Sequence, residues 1–292
     1  MANGLLLPPS SHLRHMLVRQ VQDVFNDRDR GEKPIVRSDN ALYPPQSVIW
    51  RVHGDVTTMM IGGVTALLLQ MLHPAALAGV WDHSGFRRDM VGRLRRTARF
   101  IAVTTFGDRA DADAAIDRVR RVHGHVKGAL PDGTRYAAND PRLLAWVHVC
   151  EAMAFLDAWI AFAEPGMSGA DQDSYFAQAA QVARALGADT VPESRVEAEA
   201  LITSFLPELR VDARTRDVAR MILSQPAPST AMKPAQALLM QAAVDILPFW
   251  AKRLHGFQIR PLASPLIRGG AFTIAHMLRW AFRQNRQFRS TI

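Results

Sequence analysis

Apolar residues along the chain recur at three- and four-residue intervals, the period of a helix with one buried face. From Asp111 to Gly128 a stripe of Ala112, Ala115, Ile116, Val119, Val122, His123 and Val126 forms one side, while Arg118, Arg121 and His125 fall elsewhere. Gly128 is the expected stop of that helix. Asn139-Asp140-Pro141 supplies a cap and a first-turn proline for a long apolar helix through Leu144, Val147, Phe155 and Trp159, ending near Pro165-Gly166. The apolar run from Met59 to Leu69 covers only about half a membrane span and stops at His73-Pro74, so it is read as a buried helix. Further helices are predicted over 171–186, 193–206, 214–223 and 234–247, with breaks rich in Gly and Pro between them. No Asn-Gly or Asp-Gly hairpin signal sits between alternating runs. The pattern predicts an all-α, single multi-helix globular domain over 45–259, with an N-terminal lead (1–44) and a basic C-terminal extension (260–292).

Composition narrows the classes. With 48% hydrophobic residues over 292 positions, the chain has enough apolar surface for a core, which excludes a disordered polypeptide. The single cysteine, Cys150, excludes an intrachain disulfide framework and a thiolate zinc cage, and points to a reducing, cytoplasmic compartment. No charged region precedes the Leu5-Leu6-Leu7 run, so a secretory signal is not expected. The net charge of +8 is uneven: Arg260, Arg268, Arg279, Arg283, Arg286 and Arg289, with no acid among them, account for +6, and the rest of the chain for +2. With Phe272, Trp280, Phe282 and Phe288 interleaved, this end reads either as a solvated helix docking on the body or as a peripheral membrane contact. No nucleic-acid-binding module accompanies it, and no nucleic-acid partner is expected.

The histidines carry the most chemical information, because an imidazole on an apolar face must find a partner or bind something. His123 shares the stripe of Ile116, Val119 and Val126, the placement of an axial haem ligand or of a satisfied core histidine. His148 lies three residues before Glu151, so the two face the same way on a helix and can orient each other. Neither a paired Glu-x-x-His set for a di-iron bundle nor a His-Glu-x-x-His zinc motif is present. Arg93, Arg96 and Thr97 stand at helical spacing i, i+3 and i+4, so two guanidinium groups and a hydroxyl converge; the alternative is a solvated basic face. Gly62-Gly63 lacks the Lys-Ser/Thr of a phosphate loop, and no Gly-x-Ser-x-Gly elbow appears.

Taken in order, Leu69-Gln70-Met71-Leu72-His73-Pro74, Gly79-Val80-Trp81-Asp82-His83-Ser84-Gly85-Phe86, Arg93-Leu94-Arg95-Arg96-Thr97, Phe106-Gly107, Val122-His123 with Val126-Lys127-Gly128, Tyr136, Asn139-Asp140-Pro141 and Trp146-Val147-His148 form a series. It resembles the catalytic domain shared by the mpaB oxygenases and the rubber oxygenases called latex-clearing proteins, over about Pro45 to Gly256. The resemblance implies an all-helical fold holding a haem b, and oxidative cleavage of an isoprenoid double bond by dioxygen. It matches His123 to the iron ligand, and Arg93 and Thr97 to residues on the opposite side of the haem. Arg96 stands where the rubber enzymes carry a distal lysine, and arginine does not lose its proton readily enough to ligate iron. No residue matches their base glutamate. The resemblance also places His83 and His148 around the cofactor, His73 in a structural role, and Tyr136 and Trp146 in packing.

The leading expectation is therefore a haem b-dependent oxygenase acting with dioxygen on a small apolar, isoprenoid-like substrate. His123 would hold the iron, Arg93, Thr97 and Arg96 would act at the reacting side, and Met59, Leu68 and Phe100 would line an apolar channel. The alternatives are a haem-binding sensor, carrier or peroxidase-like protein, and a cofactor-free helical protein working through its basic end.

Overall fold

The computed structural model describes residues 35–227, 229–258 and 269–270. Among them eleven α-helices account for almost all regular structure: α1 (Val48–His53), α2 (Val56–Gln70), α3 (Pro74–His83), α4 (Met90–Phe106), α5 (Arg109–His125), α6 (Pro141–Phe162), α7 (Gly169–Leu186), α8 (Arg195–Phe205), α9 (Ala213–Leu223), α10 (Lys233–Asp245) and α11 (Phe249–His255). The chain is all-α, as its periodicity predicts.

The helix starts follow from local chemistry. Short side-chain oxygens of Asp55, Asp89, Asp108, Asp140, Ser168, Ser194 and Asp212 each accept a hydrogen bond from a backbone N–H of the turn they open. These bonds satisfy donors that have no partner inside the helix. At α3 the cap is His73, whose Nδ1 accepts from the Ala75 N–H at 3.2 Å ahead of Pro74.

Helix α6 is the centre. Its apolar residues face every direction because α2, α7 and α8 cover it on successive sides, and α10 packs behind α2. The 22-residue helix is long and apolar enough to cross a membrane, yet 67% of its most apolar window is buried within the fold. The closest approach is at Gly62 of α2, where a Cβ would come within 2.7 Å of Phe155 Cδ1 and 2.9 Å of the Ala154 carbonyl oxygen. Trp146, fully buried, donates its indole N–H to the Gln70 carbonyl at 3.3 Å and ties the two helices again. Helices α4 and α5 form a second unit that packs on α1 and α7 and makes no more than a glancing contact with α6. Residues 35–44 join it: Ser38 Oγ donates to Asp108 Oδ2, and Tyr43 is buried in the core.

Two local expectations are corrected. Helix α5 ends at His125, and Gly128 lies in a small antiparallel hairpin, β1 (Lys127–Ala129) with β2 (Arg135–Ala137), pairing with Tyr136. Asp132-Gly133 does turn this hairpin, with Gly133 at φ +87°, but strands of three residues are too short to alternate visibly. Gly128 is required there because a Cβ would lie 2.6 Å from Tyr136 Oη. Of the basic extension, only Gly269 and Gly270 are among the described residues, so its expected helical course lies outside them.

Candidate functional site

Helices α4, α5 and α6 carry the residues singled out by the sequence, and they meet around Arg93. This half-buried side chain on α4 lies near enough to His123 on α5 and to Glu151 on α6 to shift both titrations. Its own pKa is lowered by burial first and then by Arg96, with Glu151 opposing, and a guanidinium so shifted is still a cation.

His123 is partly buried, two residues from the end of α5, and its ring makes no hydrogen bond among the described residues. Burial, and then the neighbouring Arg93 charge, push its pKa below the ordinary value, which favours the neutral imidazole with a free lone pair. Ala112 and Ile116 bury the start of the predicted stripe, but Val122 is 55% exposed. The inward face therefore rotates past Val122 and continues through Val119, His123 and Val126, all partly covered.

Arg96 and Thr97 do not both join Arg93. Thr97 is partly buried one turn on, whereas Arg96 is exposed and its Nη1 donates to Asp89 Oδ2 at 3.3 Å, the carboxylate that caps the same helix. Asp89 thus holds the Arg96 guanidinium at the surface, while the charge of that guanidinium still reaches Arg93. His83 is likewise exposed. It lies with Asp82 beside the hairpin, where the Tyr136 hydroxyl donates to Asp82 Oδ2 at 3.0 Å and sits 3.3 Å from His83 Nε2. Tyr136 accordingly does more than pack: its hydroxyl ties the hairpin to α3.

His148 and Glu151 share a face of α6, as their spacing predicts, but they do not bond each other. Gln70 Nε2 donates to Glu151 Oε1 at 3.2 Å, and His148 Nε2 is buried with no partner. Burial raises the Glu151 pKa to about 7, against the lowering effects of Gln70 and Arg93. Burial, helped by the Arg184 charge, lowers that of His148 to about 4. Both line a small cavity of about 60 Å³ together with Tyr43, Phe100, Thr104 and Tyr175. The sequence reading missed Tyr43, His53 and Tyr175 here, since lone aromatic and histidine residues far apart in the chain give no local signal. Of the residues expected to line an apolar channel, Phe100 borders this cavity, while Met59 and Leu68 do not.

The family follows from a comparison. The family model described as the catalytic domain of the ER-bound oxygenase mpaB/B' and rubber oxygenase matches residues 50–281. The chain belongs to this mpaB/rubber oxygenase family. Its catalytic domain is an oxygenase domain, so the chain is an oxidoreductase of the oxygenase class. The match runs to residue 281 and so takes in Arg260, Arg268 and Arg279 of the basic extension. Neither a curated protein nor a solved structure matches the chain.

The residues of this mpaB/rubber oxygenase domain can be tested against a haem. Among the described residues no group of three or more His, Cys, Asp or Glu side chains could hold a bare metal ion. A haem brings four nitrogens of its own and asks the protein for an axial ligand, which the unbonded, neutral imidazole of His123 fits. The cavity beside His148 and Glu151 does not fit the macrocycle, since about 60 Å³ is room for roughly two waters. His123 and its neighbours Val119 and Val126 are only partly covered, so the ring is not sealed inside the core.

Proposed function

We propose that this chain is a haem b-dependent oxygenase that acts with dioxygen on a small apolar, isoprenoid-like substrate, with His123 as the iron ligand. The observation that carries the reading is His123, partly buried, unbonded among the described residues and within reach of the Arg93 charge, in the stretch that the family model matches. Haem, when bound, supplies the redox chemistry that side chains lack, the activation of dioxygen.

The protein's own groups then have separable tasks. His123 offers a lone pair because burial and Arg93 disfavour its protonation. Arg93 keeps a fixed donor fork at the reacting side and cannot serve as a base there. Thr97, one turn along α4, adds a hydroxyl that donates or accepts as needed. Glu151 holds a proton close to neutrality and is anchored by Gln70. Arg96, held by Asp89 at the surface, acts on this arrangement through its charge, which reaches Arg93.

The test is turnover. Reduced, haem-loaded protein given oxygen and a panel of olefins is expected to release aldehydes or ketones; haem binding without any such product would favour the sensor, carrier or peroxidase-like alternative.

A further inference from the structure

The cavity between α1, α4, α6 and α7 has polar groups that the fold leaves unanswered. Tyr43 is 2% exposed, and its hydroxyl has no hydrogen-bond partner among the described residues; His148 Nε2 is buried in the same condition. Both face the space that Glu151 lines, and Gln70 engages only one carboxyl oxygen. By contrast, His53 is satisfied from both sides, by Thr105 Oγ1 at 2.9 Å and Tyr175 Oη at 3.0 Å, and Thr104 donates to the Phe100 carbonyl. Leaving two buried polar atoms unpaired is costly, so the space suits an occupant that hydrogen-bonds. The rest of the wall, with Phe100, Ile101, Phe155 and Val182, is apolar.

Position along α4 connects this space to the proposed reaction site. Arg93, Thr97, Ile101 and Thr104 follow one another at three- and four-residue steps on one helix, with Phe100 beside Ile101. The 1.5 Å rise per residue puts Thr104 about 10 Å from Thr97 along the axis. A chain substrate reacting beside Arg93 and Thr97 and running along α4 would thus place a group about 10 Å from its reacting end in the cavity.

We propose that this cavity is a recognition site for the uncharged hydroxyl or carbonyl end of a chain substrate, held by Tyr43, His148 and Glu151. The site selects an oxygenated chain over a pure hydrocarbon. It offers nothing to pair with an anion, because burial keeps both His53 and His148 neutral near pH 7 and no guanidinium or ammonium group lines it among the described residues. The inference rests on the proposed function for where the chain reacts, but the contacts themselves involve no cofactor.

Calorimetric titration of the purified protein with a chain alkenol and with the alkene of the same skeleton tests it, with haem content measured on the same sample. The alkenol is expected to bind at least about tenfold more tightly. In Tyr43→Phe and in His148→Phe the preference is expected to shrink severalfold while alkene affinity holds. Equal affinities in the unmodified protein, or a preference that survives both substitutions, would overturn the proposal. A crystal structure with the alkenol that shows only water at Tyr43 and His148 would do the same. Each variant is checked by its unfolding transition. Absence of haem with the preference present would sink the proposed function and leave this site standing.

Discussion

Gln70 and Glu151 join the two central helices through one hydrogen bond, Nε2 to Oε1 at 3.2 Å, while the same amide nitrogen also donates to the Val147 carbonyl at 3.2 Å. A carboxyl is thereby fixed in the packed seam between α2 and α6, where burial raises its pKa from 4.5 to about 7. The folded protein consequently holds this proton more tightly than the unfolded chain.

That difference sets a pH dependence. Between about pH 4.5 and 7 the unfolded chain has lost the proton and the folded one retains it, so Glu151 makes stability fall as pH rises through this window. Glu151→Gln is expected to unfold at higher denaturant concentration than the parent at pH 8, by on the order of 1–3 kcal/mol, and to match it near pH 4. Urea titrations at the two pH values check it.

His148 acts in the opposite sense. Its pKa falls from 6.5 to about 4 on folding, so it contributes stability above about pH 6.5 that is lost as pH drops toward 4. His148→Phe is expected to flatten the acid limb of the stability curve, measured by the same titrations.

Arg93 and His123 are coupled by charge. Removing the guanidinium in Arg93→Met is expected to raise the His123 pKa, because the second cause of its depression disappears while burial remains. An NMR titration of the imidazole protons in the haem-free protein reads the shift; an unchanged value would place the two groups farther apart than described.

The seam itself is tested at Gly62. Gly62→Ala puts a methyl group within 2.7–2.9 Å of Phe155 and the α6 backbone, neither of which can yield cheaply. A loss of about 2 kcal/mol or more is expected in thermal or chemical unfolding.

What could be read from the sequence followed the range of the interactions. Helices and caps are local, so Asp140-Pro141 and the α5 stripe announced themselves, and the ordered motifs brought out the family. The hairpin escaped because its strands are only three residues long, and its reason lies in Tyr136 lying against Gly128. Helical spacing placed Arg93, Arg96 and Thr97 on one face, but could not show that Asp89, seven residues earlier, would claim Arg96. The pairing of His148 with Glu151 was read from spacing alone, whereas Gln70, 81 positions away, takes the carboxylate. Tyr43 joins the cavity only through the tertiary fold.

The account's central claim is that His123 holds a haem iron. The most direct measurement is the absorption spectrum of the purified protein after expression with added haem, beside that of His123→Ala. The account predicts a Soret band in the parent that is lost or strongly shifted in the variant; no band in the parent, or the same band in both, would contradict it.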